Sequence, residues 1–110
     1  MAAAIPQLDP AAARALLERL GDQAVLLDVR EPWEYTQVHV AGSLHIPMGQ
    51  IPDRLAELNS AHSYVVMCHH GRRSQQVAAY LDSRGFRQVA NLAGGIDAWA
   101  ETLDPRLPRY

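Results

Sequence analysis

The sequence predicts an α/β fold built on an open, mostly parallel β-sheet. Two short runs, residues 24–29 (AVLLDV) and 64–68 (YVVMC), lack the polar alternation of a half-exposed strand. Such continuous apolar runs are typical of parallel strands that are covered on both faces. Segments with apolar residues three and four positions apart separate the runs, and strands that alternate with helices indicate βαβ units. Ligands of such sheets bind at the carboxyl ends of the strands, so we expect a functional site where these two runs end.

The elements follow from local signals in chain order. Asp9, Pro10 and Gly21 mark a first helix as its N-cap, its first helical residue and the glycine that follows it. The spacing of apolar residues predicts further helices over residues 50–58, 74–84 and about 95–101. Two more strands are predicted over residues 43–47 and 88–92. Residues 103–110 contain two prolines and are expected to be extended or loosely packed.

Length and composition argue against several function classes. The 110 residues fit a single globular domain, and a net charge of -2 provides no basic field for binding nucleic acid. The sequence contains no apolar run near the roughly 20 residues that span a bilayer, and its first residues lack the pattern of a signal peptide. A single cysteine allows no internal disulfide, so we expect a reducing compartment, the cytoplasm, and no membrane partner.

The single cysteine, Cys68, ends the second apolar run and precedes the polar stretch HHGRRS. Because Ser74 begins the next predicted helix, residues 68–73 form a strand-to-helix turn. Amide groups at the start of that helix point into the turn, and Gly71 lets the backbone curl into an anion-binding nest. Four side chains add positive charge or the capacity for it: His69, His70, Arg72 and Arg73. These features favour the thiolate and predict a nucleophilic Cys68 rather than an inert buried thiol.

Three motifs, in order, resemble those of the rhodanese (sulfurtransferase) family. CHHGRRS is similar to the family's C-x-x-G-x-R-S active-site loop, and LLDVREPWEYTQVHVAGSLHIP resembles the segment upstream of that loop. NLAGGIDAWA resembles the family's closing G-G-x-x-x-W signature. The resemblance covers residues 5–102 as one rhodanese-like domain, followed by a C-terminal tail over residues 103–110. It implies an open parallel sheet of about five strands with helices on both faces.

The resemblance also implies a reaction. Cys68 is expected to take sulfane sulfur from thiosulfate or a persulfide and to pass it, as a Cys68 persulfide, to cyanide or a thiol. The residues after it are expected to form the substrate-binding loop: His69, His70, Gly71, Arg72, Arg73 and Ser74. Because the chain has no second cysteine, the acceptor must be external, and a sulfur-relay protein is one candidate partner. No cofactor is expected.

Two other functions stay open on the sequence alone. The first is a rhodanese-fold module that carries sulfur or binds a partner with little turnover of its own, although retention of the loop cysteine favours the enzyme. The second is a phosphatase of similar architecture. The phosphatase loop is one residue longer, whereas four residues separate Cys68 from Arg73, and this loop contains no carboxylate to act as general acid. The shorter loop therefore suits a sulfur atom better than a phosphate.

Charged residues at the end of the first run are expected to support the loop. Asp28 is either a simple turn residue or the ion-pair partner of Arg73. Arg30 and Glu31 are expected to pair with other charges at the same edge, Glu34 among them.

The remaining candidates have simpler interpretations. Arg72 is either a solvated arginine or the residue that recognises an anionic sulfur donor. The histidines lack metal-ligand spacing, and the adjacent His69 and His70 are expected to point in different directions, so no metal site is predicted. Trp33 and Trp99 are interpreted as packing residues.

Overall fold

A computed structural model describes residues 4–110 as one five-stranded parallel sheet with the strand order β1-β5-β4-β2-β3. The strands are β1 (Gln7–Leu8), β2 (Ala24–Asp28), β3 (Leu44–His45), β4 (Ser63–Met67) and β5 (Val89–Leu92). The helices are α1 (Pro10–Leu20), α2 (Pro32–Gln37), α3 (Arg72–Ser83) and α4 (Gly95–Thr102). Within residues 4–110 no helix has the length and apolar character to cross a membrane. The predicted parallel α/β fold is confirmed.

Each face of the sheet carries its own hydrophobic core. Leu27 of β2 belongs to a cluster that includes Val77 of α3. Leu26, the preceding residue, belongs to a second cluster with Ala13 of α1 and Trp99 of α4. Successive side chains of a strand point to opposite faces, so α3 covers one face while α1 and α4 cover the other. Because both faces are covered, β4 is buried along its whole length, which explains its unbroken apolar run.

The first helix begins and ends where its local signals predict. The Asp9 carboxylate accepts a hydrogen bond from the Ala12 amide at 2.8 Å, and Pro10 occupies the first helical position. Gly21 follows the helix with a φ of 53°, a conformation that glycine adopts without steric cost. Caps of this kind depend only on neighbouring residues, so the sequence is sufficient to place them.

The helix predicted over residues 50–58 is wrong. Residues 48–57 instead contain two short 3₁₀ turns, Met48–Gln50 and Leu55–Glu57. Pro52 lacks the amide hydrogen that would continue an α-helix. Apolar residues at helical spacing, Ile51 and Leu58 among them, are buried in the core although the segment that carries them is irregular. Boundary differences of one to two residues from prediction also occur in β2, β3, β4, β5, α3 and α4.

Two elements were not predicted. β1 has two residues, too few for a pattern, and is defined by its pairing of Gln7 with Asn91 of β5. α2 is short but has a capping box, in which the Glu31 amide donates to the Glu34 carboxylate at 2.9 Å. Pro32 after Glu31 and a second glutamate three positions on were the signals for this helix.

The carboxyl ends of β2 and β4 lie side by side, as predicted. Asp28 is in register with Met67, and the Val29 amide donates to the Met67 carbonyl at 2.9 Å. Cys68 follows Met67 directly, so the polar end of β2 and the cysteine lie at one edge of the sheet. Both strands are central in the strand order, so the buried middle of the sheet holds this edge in place.

Candidate active site

Cys68 lies at the bottom of a backbone turn between β4 and α3. The residue is 1% exposed, and its Sγ accepts a hydrogen bond from the Gly71 amide at 3.1 Å. The hydroxyl of Ser74, in the first turn of α3, lies 3.3 Å from the same sulfur. Gly71 precedes the helix with a φ of 105°, so the chain can turn tightly enough to aim its amide at the sulfur. The structure therefore contains the predicted turn over residues 68–73, with the Gly71 amide directed at the sulfur.

The surroundings of the sulfur favour its ionised form. Burial alone raises the pKa of the Cys68 thiol, but hydrogen bonds from the Ser74 hydroxyl and from the amides of Ser74, Gly71 and His70 outweigh it. The net pKa of Cys68 lies below that of an ordinary cysteine. A buried thiolate stabilised by several donors is a nucleophile in a low-dielectric setting, where such hydrogen bonds are strongest.

The start of α4 holds the backbone of the loop in this orientation. The Ile96 amide donates to the Cys68 carbonyl at 2.8 Å, and the Asp97 amide donates to the His69 carbonyl at 3.2 Å. The His69 carbonyl points toward α4, so the His70 amide on the opposite side of that planar peptide unit faces the sulfur. No prediction from the sequence placed α4 at the site.

Gly95 makes the approach of α4 possible. A Cβ atom at this position would overlap the backbone carbonyl groups of His69 and Cys68, and the φ of Gly95 is +64°. No other residue type fits both the close approach and this backbone conformation. Gly95, which belongs to the NLAGGIDAWA motif, thus provides the contact between this helix and the cysteine loop.

Asn91 is a second residue of the site that the sequence did not reveal. It is buried in β5, where its Nδ2 donates to the Gly71 carbonyl at 3.0 Å and to Gln7 at 2.8 Å. Its Oδ1 lies 2.5 Å from the Ser74 hydroxyl. Ser74 has one hydroxyl hydrogen, which Asn91 and the sulfur of Cys68 therefore share as alternative acceptors. A buried asparagine in a parallel strand was the available signal, because a buried amide requires polar partners.

The expected ion pair between Asp28 and Arg73 is wrong. Asp28 instead pairs with Arg30 at 2.7 Å, and the side chains of both residues are 0% exposed. Arg73 binds both oxygens of Glu34, at 2.6 and 2.9 Å. Asp28 and Arg30 are two positions apart at the end of β2, where the Arg30 amide and guanidinium both donate to the Asp28 carboxylate, while α2 brings Glu34 to the loop. Arg30 also donates to the Glu34 carbonyl at 3.4 Å.

The Glu34 carboxylate is ionised, and both of its oxygens accept hydrogen bonds. Burial alone raises the pKa of Glu34, but hydrogen bonds from Arg73, from Tyr110 and from the Glu31 amide outweigh it and lower the pKa to about 2. The bidentate geometry fixes the guanidinium of Arg73 in the first turn of α3, beside the cysteine loop. Hydrogen bonds to Glu34 raise the pKa of Arg73, and the charge of a Cys68 thiolate acts in the same direction.

The two histidines of the loop stack rather than diverge, contrary to expectation. The rings of His69 and His70 are 3.9 Å apart with an interplanar angle of 27°. Within residues 4–110, one group of possible metal ligands comes together, formed by these histidines and Asp97, with ligand atoms within 4.8 Å of one another. Both carboxylate oxygens of Asp97 accept from Arg109, so this carboxylate already forms an ion pair in the structure.

Arg72 differs from Arg73 in its surroundings. Its side chain is exposed, and within the described part of the chain it forms no ion pair.

Trp33 is 59% exposed, so its interpretation as a packing residue is wrong, whereas Trp99, at 7%, is buried as predicted. Residues 103–110 also depart from expectation, because Leu107 and Tyr110 pack against the core.

The fold and the loop together define a class of parallel α/β domains that present a lone cysteine in an amide-lined turn after a central strand. The chain belongs to the rhodanese family, whose Rhodanese-like domain model matches residues 11–102.

Relatives of known sequence and structure agree with this assignment. Thiosulfate sulfurtransferase GlpE of Pseudomonas fluorescens is 41% identical over 98 residues, which cover 87% of this chain and 85% of that protein. The putative sulfur carrier protein YrkF of Bacillus subtilis is 40% identical over 74 residues, 67% of this chain and 40% of that protein. A rhodanese-like domain protein from Staphylococcus aureus superposes with a TM-score of 0.79 at 29% identity, covering 96% of this chain and 99% of the other. The relatives support sulfurtransferase activity and include sulfur carriers.

Replacing Gly95 with alanine tests the contact between α4 and the loop. The added methyl group would push α4 away from the carbonyls of Cys68 and His69, so we expect a loss of stability of about 1–3 kcal/mol and slower alkylation of Cys68. Gly49→Ala is the matched control, because nothing lies within 4 Å of a Cβ there and its φ is not positive. Chemical denaturation and alkylation kinetics measure both effects. Wild-type values for Gly95→Ala would contradict the assigned contact.

Removing the charge of Glu34 tests its role at low pH. The folded-state pKa of about 2 lies below the ordinary value of 4.5, so the carboxylate contributes stability above about pH 4.5 that is lost as the pH falls toward 2. Glu34→Gln should lower the free energy of unfolding by about 2 kcal/mol near neutral pH, with a difference from wild type that shrinks below pH 4.5. Glu57→Gln, at an exposed ion pair with Arg54, should change little. A pH-independent difference would argue against the assignment.

Ser74→Ala tests the lowered pKa of Cys68. The wild-type rate of alkylation should reach half of its maximum at a pH below the ordinary value for a cysteine thiol. Loss of the Ser74 hydroxyl removes a donor to the thiolate, so this midpoint should rise and the rate near pH 7 should fall. Ser83→Ala, which removes an exposed hydroxyl bonded to the Tyr80 carbonyl, is the control. An unchanged midpoint in Ser74→Ala would show that the backbone amides suffice.

Proposed function

We propose that this protein is a thiosulfate sulfurtransferase that works through a persulfide on Cys68. The observation that carries the proposal is the position of the Cys68 sulfur, which is buried at the focus of the Gly71 amide and the Ser74 hydroxyl. These donors stabilise a thiolate before the reaction and the negative sulfur of a persulfide after it.

The chemistry takes two steps. The Cys68 thiolate attacks the outer, sulfane sulfur of thiosulfate; a sulfur–sulfur bond to Cys68 forms, the sulfur–sulfur bond of thiosulfate breaks, and sulfite leaves with the electron pair. Cyanide or an external thiolate then attacks the terminal sulfur of the persulfide. That attack releases thiocyanate or a new persulfide and restores the Cys68 thiolate. A persulfide of low molecular weight or on a protein can replace thiosulfate as donor in the first step.

Each residue of the loop has a role in this proposal. The Ser74 hydroxyl and the amides of Ser74, Gly71 and His70 are the donors to the sulfur, consistent with the lowered pKa of Cys68. Arg73 adds positive charge while Glu34 holds it in place. His69, His70 and Arg72 are the remaining side chains of the proposed substrate-binding loop.

Arg72 is the residue that we assign to recognition of an anionic donor. It is the loop cation whose charge no carboxylate neutralises within residues 4–110, whereas Arg73 is paired with Glu34. A doubly charged donor such as thiosulfate would gain the most from this free charge. Asp28 and Arg30 support the loop at a distance, as a fully buried ion pair.

A sulfur-carrier role is the second candidate function, and the similarity to the putative sulfur carrier of Bacillus subtilis favours it. In that role Cys68 would hold sulfur for a relay partner and turn over slowly with small acceptors. Both roles need a free thiol, so we also propose a reducing compartment, the cytoplasm, as the site of action. We assign Cys68 and its loop to a rhodanese-like domain over residues 5–102, followed by a C-terminal tail over residues 103–110.

Intact-mass measurement tests the proposed function directly. Incubation with thiosulfate should add one sulfur atom, about 32 Da, and cyanide should remove it. Cys68→Ser should remain folded and gain no mass, since it lacks the acceptor sulfur. An adduct that forms but resists cyanide while passing to a protein thiol would favour the carrier. No adduct on a cysteine that alkylates readily at neutral pH would overturn thiosulfate as the donor.

A further inference from the structure

Tyr110 joins the two ion pairs beside the cysteine loop. Its hydroxyl donates to Oε2 of Glu34 at 2.7 Å and accepts from Nη1 of Arg30 at 2.9 Å. One hydroxyl group thus completes a continuous set of hydrogen bonds that runs from Asp28 through Arg30 to Glu34 and Arg73. Both hydrogen-bonding capacities of the hydroxyl are used, one as a donor and one as an acceptor.

The ring of Tyr110 also holds a side chain of the loop. It stacks on His69 with ring centroids 4.0 Å apart and an interplanar angle of 9°. His69 in turn stacks on His70, so its ring lies between two others. The edge of Trp33 contacts Tyr110 as well, with centroids 6.0 Å apart. The aromatic side chains therefore limit the movement of His69, whose backbone is part of the turn around the sulfur.

Contacts on both sides bring Tyr110 to this position. Leu103 and Leu107 pack against the core cluster on the α4 face of the sheet. Arg109 binds both carboxylate oxygens of Asp97, at 2.8 and 3.0 Å. Tyr110 lies eight positions beyond residue 102, where the match to the family model ends. Neither the family match nor the sequence motifs assign a role to it.

We propose that Tyr110 is a positioning residue of the sulfur-transfer site, which it orders through Glu34 and Arg73 on one side and through His69 on the other. The proposal rests on the proposed function for its catalytic meaning. A Glu34 carboxylate held by Tyr110 keeps both oxygens on the guanidinium of Arg73, and the charge of Arg73 stays near the sulfur. Without the hydroxyl, Oε2 of Glu34 loses a donor and Arg30 loses an acceptor in a buried setting.

The protonation state of Tyr110 agrees with this role. Burial and the Glu34 carboxylate raise the pKa of Tyr110 to about 12, although Arg30 acts in the opposite direction. The hydroxyl therefore keeps its proton and donates to Glu34 throughout the neutral range. Arg30, Glu34, Arg73 and His69 are the charged or titratable groups around it.

Two substitutions separate the hydroxyl from the ring. Tyr110→Phe keeps the stack on His69 and removes the hydroxyl, whereas Tyr110→Leu removes both. Tyr80→Phe is the matched control, because the Tyr80 side chain lies on α3 away from the loop and its hydroxyl forms no hydrogen bond within the described residues. The measurements are the pH midpoint of Cys68 alkylation, the kinetics of thiosulfate-to-cyanide transfer, and thermal unfolding.

In Tyr110→Phe we expect the alkylation midpoint to rise by roughly half a pH unit, which corresponds to about threefold slower alkylation near pH 7. Transfer kinetics should lose a similar factor in kcat/KM, and Tyr110→Leu should lose more. Tyr80→Phe should match wild type in all three measurements.

A merely structural role would lower the unfolding temperature of both Tyr110 variants and leave the midpoint of Cys68 at the wild-type value. That result would overturn the proposal. The alkylation midpoint needs no sulfur donor, so it tests Tyr110 even if wild-type protein transfers no sulfur. Absence of transfer in the wild type would count against the proposed function alone.

Discussion

The site depends on two hydrogen bonds from the start of α4 to the cysteine loop. The Ile96 and Asp97 amides bind the carbonyls of Cys68 and His69. These contacts hold the backbone of the first two loop residues against α4, next to the Gly71 amide that donates to the sulfur. Gly95 permits the contact, because a side chain there would overlap the loop backbone. A helix that packs on one face of the sheet thereby positions the backbone around a cysteine at the edge of the sheet.

The charges around the loop are arranged so that the cysteine sulfur is the anion left without an ion-pair partner. Asp28 is neutralised by Arg30, and Glu34 by Arg73. A free carboxylate near the sulfur would repel a thiolate and an anionic donor alike. The pairing of each carboxylate with an arginine removes that repulsion and positions the guanidinium of Arg73 at the same time. Buried pairs of this kind contribute more to the order of a site than to net stability.

Much of the fold was predictable because its signals are local. The start and end of α1 depend on Asp9, Pro10 and Gly21, which are close in sequence to the groups that they satisfy. The helix prediction over residues 50–58 was wrong because apolar side chains at helical spacing can be buried without a helix. Pro52 also interrupts the backbone hydrogen bonds there. Elements as short as β1 are stabilised by their neighbour in the sheet, which no local pattern describes.

The sequence by itself determined the fold class, the family, and the position of Cys68 in an amide-lined turn, since each follows from the order of neighbouring residues. The tertiary structure alone decided that Arg73 binds Glu34 rather than Asp28, and that Tyr110 reaches the site. Several carboxylates and arginines meet at one edge of the sheet, so their pairing depends on distances of a few ångströms between side chains. The residue types determine which charges are available, whereas side-chain packing determines which of those charges form ion pairs.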